Sequence, residues 1–139
     1  MSDTSLLARW PPELFTQLPE RTISDITSAL RYGNGERGLD NILADIVSGQ
    51  KQIWVHSIGD KFNGTVITQL TEYPQKRTCE LLYLGADKAM EALHEIHTIE
   101  LWALENDCHD IQAIGRAGWV KLMAKHEFKQ RYTVIGKNL

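Results

Sequence analysis

Apolar positions along the chain repeat first with one period and then with another. Leu39, Ile42, Leu43, Ile46 and Val47 recur at helical spacing and mark a short helix that Gly49 ends. Ahead of it, Thr22-Ile23-Ser24-Asp25 offers N-caps for a helix running to about Tyr32, and Gly33-Asn34-Gly35 supplies residues that tolerate left-handed backbone angles and stop it. Pro11-Pro12 breaks any structure before that. Beyond Gly49 the period falls to two. Gln52 to Ile58 reads as a strand, Gly59-Asp60 as its turn, and Phe62 to Thr71 as a second strand that ends before Pro74. Arg77 to Leu84 is a third, with Cys79, Leu81 and Tyr83 expected on one side and Glu80, Leu82 and Leu84 on the other. Such short connections predict an antiparallel meander.

From Asp87 to Asn106 the helical period returns, with Ala89, Leu93, Ile96, Glu100 and Ala103 in one stripe and Met90, Ile99 and Trp102 widening it. Asp110 to Ile114 then predicts a short buried strand, Arg116 to Lys125 a helix, and Phe128 to Ile135 a last strand. The expected order is α-α-β-β-β-α-β-α-β. A strand, a long helix and a strand in succession imply a right-handed parallel crossover attached to the meander. The predicted fold class is therefore α/β (α+β): one mixed sheet with helices on both faces. One domain is expected, residues 1–49 forming a helical N-terminal part and residues 50–139 the sheet.

Composition narrows the classes. With 42% hydrophobic and 24% charged residues in 139, the chain is an ordinary globular mixture and not a disordered one. A domain of this length buries roughly two thirds of its unfolded surface, so it needs no disulfide or metal staple. The first fifteen residues lack the basic start and apolar core of a signal peptide, and no apolar run approaches the roughly 18 residues of a membrane span. A cytoplasmic location is expected, and Cys79 and Cys108 suit a reducing compartment. Net charge is −3, unevenly spread: residues 80–110 carry eight acids against Lys88, and residues 116–139 carry six bases against Glu127. An acidic chain is a poor general nucleic-acid binder, so neither nucleic acid nor membrane is expected as a partner. The basic C-terminal quarter either meets an anion or balances the acidic helix as solvated surface.

The element order, the junction Tyr83-Leu84-Gly85-Ala86-Asp87-Lys88 and the stretch Gly115-Arg116-Ala117-Gly118-Trp119 followed by Phe128 resemble the GNAT superfamily of acyl-CoA-dependent N-acyltransferases. The likeness is greatest to its small phage-encoded members. It covers residues 50–139; over 1–49 it rests on two helices ahead of a sheet. The resemblance implies a cofactor cleft between the third strand and the long helix. There splayed strands leave backbone amides for a pantetheine arm, and the following helix end faces a pyrophosphate. On this sequence that cleft falls on Leu82 to Lys88, with Leu82, Leu84, Gly85, Ala86 and Lys88 against acetyl-CoA and Arg116 on a phosphate. Active relatives carry a basic, glycine-rich loop at that place. This chain has one glycine, one cation and Asp87. Many relatives also place a tyrosine on the last helix to protonate the departing thiolate; the matching position holds Met123, which cannot donate. A strand glutamate serves as base in the histone-acetylating branch, and Glu80 matches its placement. The alternative for Glu80 is an exposed edge residue pairing with Lys76 or Arg77.

Other residues are weighed beside these. Arg116 either holds an anionic group with its planar fork or pairs with Asp110 and fixes a turn. Gly118 is expected to let its helix approach the sheet, and Trp119, like Trp10, Trp54 and Trp102, to pack in the core. His94-x-x-His97 and Cys108-His109 have zinc-suited chemistry. Because they lie about 15 Å apart along a helix, no metal is expected. Two function classes remain. One is an N-acyltransferase moving an acetyl or acyl group from acyl-CoA to an amine of a protein or small molecule, with Glu80 as base. The other is a degenerate GNAT fold acting as a binding protein, a phage factor in the host cytoplasm that docks on a host protein. The degraded loop and Met123 favour the second and imply weak or absent acetyl-CoA binding. A homodimer is left open.

Overall fold

The computed structural model describes residues 4–31, 35–115 and 117–139. Its frame is a five-stranded sheet in the order β1 (Ser5–Arg9), β2 (Lys51–Ile58), β3 (Lys61–Glu72), β4 (Arg77–Ala86) and β5 (Asp110–Ala113). The first three pairings are antiparallel and β4–β5 is parallel. The helices are α1 (Glu20–Leu30), α2 (Leu39–Ser48), α3 (Ala89–Leu93), α4 (Ile96–Glu105) and α5 (Gly118–Met123). The mixed sheet, the meander and the parallel crossover are as the periodicity predicts.

Each face of the sheet is covered. On one side Ile26 of α1 and Ile42 and Ile46 of α2 close over Ile53 and Ile67. On the other, Leu93, Ile96, Ile99 and Ala103 of α3 and α4 pack with Met123 on Trp54, Val66, Cys79 and Leu81. Trp54 meets Trp102 edge to face with ring centroids 5.4 Å apart. That apolar burial is the main stabilising force of both layers.

Four elements depart from the periodicity. β1 is absent from the sequence reading because Leu7 is its single buried residue, which leaves no alternation to detect. It puts residues 5–9 of the helical N-terminal part into the sheet. α1 begins at Glu20 after Pro19, so Thr22 and Asp25 are interior residues facing the sheet and not caps; the predicted end at Tyr32 and the stop at Gly33-Asn34 lie outside the described residues. The long helix is two helices, since the backbone leaves helical angles at Glu95 (φ −98°, ψ 14°). Finally, Phe128 to Ile135 forms no strand. The tail is held instead by a side chain: Arg131 donates to Asp110 at 2.6 Å and to Gln112 at 3.4 Å.

One irregularity decides which face each residue of β4 serves. Ile67 pairs with Tyr83 but Thr68 pairs with Leu81, leaving Leu82 as an extra residue, a β-bulge. Below it Cys79 and Leu81 face the α3–α4 layer; above it Leu84 takes that face and Tyr83 packs with Ile67 against α1 and α2. The expected grouping of Tyr83 with Cys79 and Leu81 is thereby corrected. Alternation by two cannot reveal one inserted residue.

Candidate functional site

β4 outruns its parallel partner. The ladder joins Thr78–Leu81 to Asp110–Ala113 and closes with Ile114 N–H donating to Leu81 O at 3.0 Å. From Leu82 to Ala86, β4 pairs with β3 alone, so one edge of the strand has no strand partner among the described residues. Such an edge can take an extended amide-bearing chain as an additional strand. The opening is narrow. Leu84, Ala92, Leu93, Ile96, Trp119 and Met123 line an apolar crevice beside it with a free volume of about 10 Å³, room for one water at most. Gly115 accommodates Trp119: a Cβ there would lie 2.7 Å from the indole.

The junction from β4 to α3 is tied from two sides. Asp87 N–H donates to Asn63 O (3.0 Å) and Lys88 N–H to Asn63 Oδ1 (2.9 Å). From α1, Arg21 donates both arms of its guanidinium to the two Asp87 oxygens, each at 2.7 Å, while lying 5.2 Å over the Phe62 ring. The Arg21 bonds hold the Asp87 carboxyl below its usual range. Neither Arg21 nor Asn63 carries a sequence signal; each matters through a long-range partner. Gly85 is where α1 touches the strand, for a Cβ there would lie 2.8 Å from Asp25 O and 2.9 Å from Asp25 Cβ. Ala86 closes β4 opposite Gly64, the Lys88 side chain is exposed, and Arg116 lies outside the described residues. Gly118 has nothing within 4 Å of an added Cβ, so a close approach to the sheet is not its role.

Two buried carboxylates stand on the α1–α2 side of β4. Glu80, 4% exposed, accepts from Thr71 Oγ1, from Gln112 Nε2 at 2.8 Å and from Tyr73 OH at 3.3 Å. It is neither an edge residue nor a partner of Lys76 or Arg77, which pair with Asp110 and Glu72. Asp25 is the one the sequence reading missed. It accepts from Thr65 Oγ1 at 3.2 Å, and burial pushes its carboxyl up, against the pull of the Thr65 bond and of Arg21. Asp25 abuts the unpaired half of β4 and Glu80 the paired half.

Buried thiols add no nucleophile. Burial pushes Cys79 up to about 12 and also raises Cys108. Two histidines of the zinc reading have other neighbours: His94 meets His126 at 5.8 Å between ring centroids, and His109 Nδ1 accepts the Arg77 amide at 3.2 Å. Among the described residues no helix is long and apolar enough to cross a membrane.

No protein-family model matches the sequence, and no curated protein does. Solved structures match over nearly the whole chain. An aminoglycoside acetyltransferase from an uncultured soil metagenomic sample, in complex with sisomicin, shares 10% identity over 97% of this chain and 96% of its own, with a TM-score of 0.71. A predicted acetyltransferase from Clostridium acetobutylicum with acetyl-CoA gives 11% identity, the same coverage and 0.70. Glucosamine-6-phosphate N-acetyltransferase from Arabidopsis thaliana gives 9%, 97% and 98%, and 0.68. At such identities the likeness is one of fold, and the fold of this chain is that of the GNAT acetyltransferases.

Proposed function

We propose that this protein binds an acyl-CoA along the unpaired upper half of β4 and transfers the acyl group to an amine. The observation that carries the reading is the strand edge from Leu82 to Ala86, which β5 leaves open and which leads straight into α3. Acyl-CoA, when bound, supplies an activated thioester; the protein has to hold it and take a proton from the amine. The extended arm fits the edge. The diphosphate fits less well, because Asn63 occupies the Asp87 and Lys88 amides and Arg21 occupies Asp87. Lys88 is the cation left at the junction, with Arg116 as a second candidate in the sequence. Glu80 is the proposed proton acceptor, its carboxylate oriented by Thr71, Tyr73 and Gln112.

Affinity follows from the junction. Each charge-assisted hydrogen bond contributes about 1.5–3 kcal/mol, so lacking two or three costs about 3–9 kcal/mol. Micromolar binding is about −8 kcal/mol, which places acetyl-CoA here toward the millimolar range. Calorimetry with acetyl-CoA and with acetyl-pantetheine tests it. The expected result is weak binding of both, acetyl-CoA gaining a small increment at low salt that physiological salt removes. Absence of binding by either at millimolar concentration overturns the proposal.

The second reading, a degenerate fold that binds another protein such as a host factor, is favoured by Trp119 and Met123 filling the crevice. Binding without turnover on any amine acceptor would support it.

A further inference from the structure

Asn63 ties the β4–α3 junction to His56 through four hydrogen bonds. Its backbone carbonyl accepts Asp87 N–H at 3.0 Å and its side-chain oxygen accepts Lys88 N–H at 2.9 Å. Its side-chain nitrogen donates to Lys88 O at 3.0 Å and to His56 Nδ1 at 2.8 Å. The Lys88 amide and carbonyl leave no choice in how the Asn63 amide is turned, since N–H must meet oxygen and C=O must meet nitrogen. His56 Nδ1 is therefore an acceptor, and the imidazole proton sits on Nε2, which donates to Ser5 Oγ at 2.8 Å. Asn63 is 4% exposed and His56 is fully buried. A chain of contacts thus runs from β1 through β2 and β3 to the start of α3.

We infer that Asn63 is the positioning residue of the β4–α3 junction and that His56, as a neutral imidazole, holds Asn63 in place, so that charging His56 releases the junction. A proton on Nδ1 would set N–H against the N–H of Asn63, and the amide could not turn over to relieve this without losing both Lys88 bonds. The groups that face His56 are Ser5 from β1, Asn63 from β3, and the charges of Glu91 on α3 and Glu95 after it. The two glutamates favour the charged ring, but burial outweighs them and keeps the imidazole neutral down to a pH below its usual value. The consequence for cofactor binding rests on the proposed function; the junction itself does not.

Amide hydrogen exchange of the ligand-free protein, read residue by residue by NMR and corrected for intrinsic rates, tests this. Lys88 is expected to be protected at neutral pH and to lose that protection when His56 protonates, while Asp87, bonded to the Asn63 main-chain carbonyl, and the β2–β3 ladder amides keep theirs. Asn63→Ala exposes the Lys88 amide at neutral pH, by about tenfold or more for the two side-chain hydrogen bonds lost at Lys88, while the Asp87 amide keeps its acceptor, the backbone carbonyl of residue 63. His56→Gln keeps an acceptor for Asn63 and removes the titration, so its junction protection is the same at acid and neutral pH. That variant decides the matter even if Asn63→Ala fails to fold. Equal protection of Lys88 in wild type across His56 titration, or the same acid loss in His56→Gln, overturns the inference. Acetyl-CoA titrations over the same pH range read the consequence: affinity that follows pH in wild type and not in His56→Gln. No binding at any pH, with the exchange pattern intact, overturns the cofactor reading and leaves Asn63 and His56 in the role assigned.

Discussion

Replacing Gly85 by alanine separates packing from ligand contact at the centre of the proposed site. The added methyl carbon would lie 2.8 Å from Asp25 O, 2.9 Å from Asp25 Cβ and 3.1 Å from Asp25 C. These are helix backbone atoms and a Cβ, which cannot swing aside as a flexible side-chain end does, so α1 must lift away from β4. Lifting it disturbs the Ile26 contacts with Ile53 and Ile67 and stretches the Arg21–Asp87 pair at the helix start. Overpacking of this kind costs about 1–3 kcal/mol. In a chain of this length that lowers the melting temperature by roughly 4–12 °C. Thermal and guanidinium unfolding of the ligand-free protein, followed by far-ultraviolet circular dichroism, measures it. A Gly85→Ala protein that melts with wild type and loses only acetyl-CoA binding would refute the packing reasoning and make Gly85 a cofactor contact.

Gly118→Ala is the opposite case, with open space around the new methyl group at the first residue of α5; it is expected to be neutral or to stabilise by up to about 1 kcal/mol, read by the same melts. Glu80→Gln is expected to lower turnover on a demonstrated amine acceptor by about 100-fold or more, and unchanged kcat removes Glu80 as base. Asp25→Asn is expected to leave kcat within a few-fold and to hold or raise the melting temperature at neutral pH, because a carboxyl whose pKa is raised in the folded state costs stability above that pKa and favours folding as pH falls through it. Asp110 titrates with the other sign. Burial acts to raise it, but hydrogen bonds from Lys76, Thr78 and Arg131 outweigh that and hold it well below the usual carboxylate range. Its contribution is full above about 3.8 and is lost as pH falls below that value, and Asp110→Asn should flatten the acid limb of the stability curve.

The sheet was legible in the sequence wherever β-branched and apolar residues run together between turn residues. β2, β3 and most of β4 announce themselves as runs of β-branched and apolar residues bounded by Gly49, Gly59-Asp60 and Pro74, and α2 because Ile42 and Ile46 lie on one stripe. β1 was not, since its place in the sheet is secured by pairing with β2 and by one buried leucine. Phe128 to Ile135 has strand-like residues, yet Tyr132, Val134 and Ile135 lie exposed; residue type alone does not supply a partner edge. The candidate site at the end of β4 takes its place from the strand-Gly-helix junction, which the sequence displays. Its detail was not legible. Arg21 lies far from Asp87 in the chain and Asn63 far from Lys88, and a hydrogen bond between distant residues leaves no periodic trace. Glu80 was legible by its place on the strand but not by its surroundings, because Thr71 and Gln112 arrive from two other strands.

The bulge at Leu82 bears on how this chain tolerates changes of length. Removing that one residue would restore strict alternation along β4 and leave Leu81 opposite Thr68 and the next residue, Tyr83, opposite Ile67. Tyr83 would keep its place against α1 and α2, Leu84 its place toward the α3–α4 layer, and Gly85 its place beneath Asp25. The turn at Tyr73–Lys76, with its two backbone hydrogen bonds and exposed side chains, likewise fixes no residue of either apolar layer. Changes of length in homologous chains should therefore be found at position 82 as well as at that turn, and a deletion scan along β3 and β4 would show Leu82 among the tolerated positions.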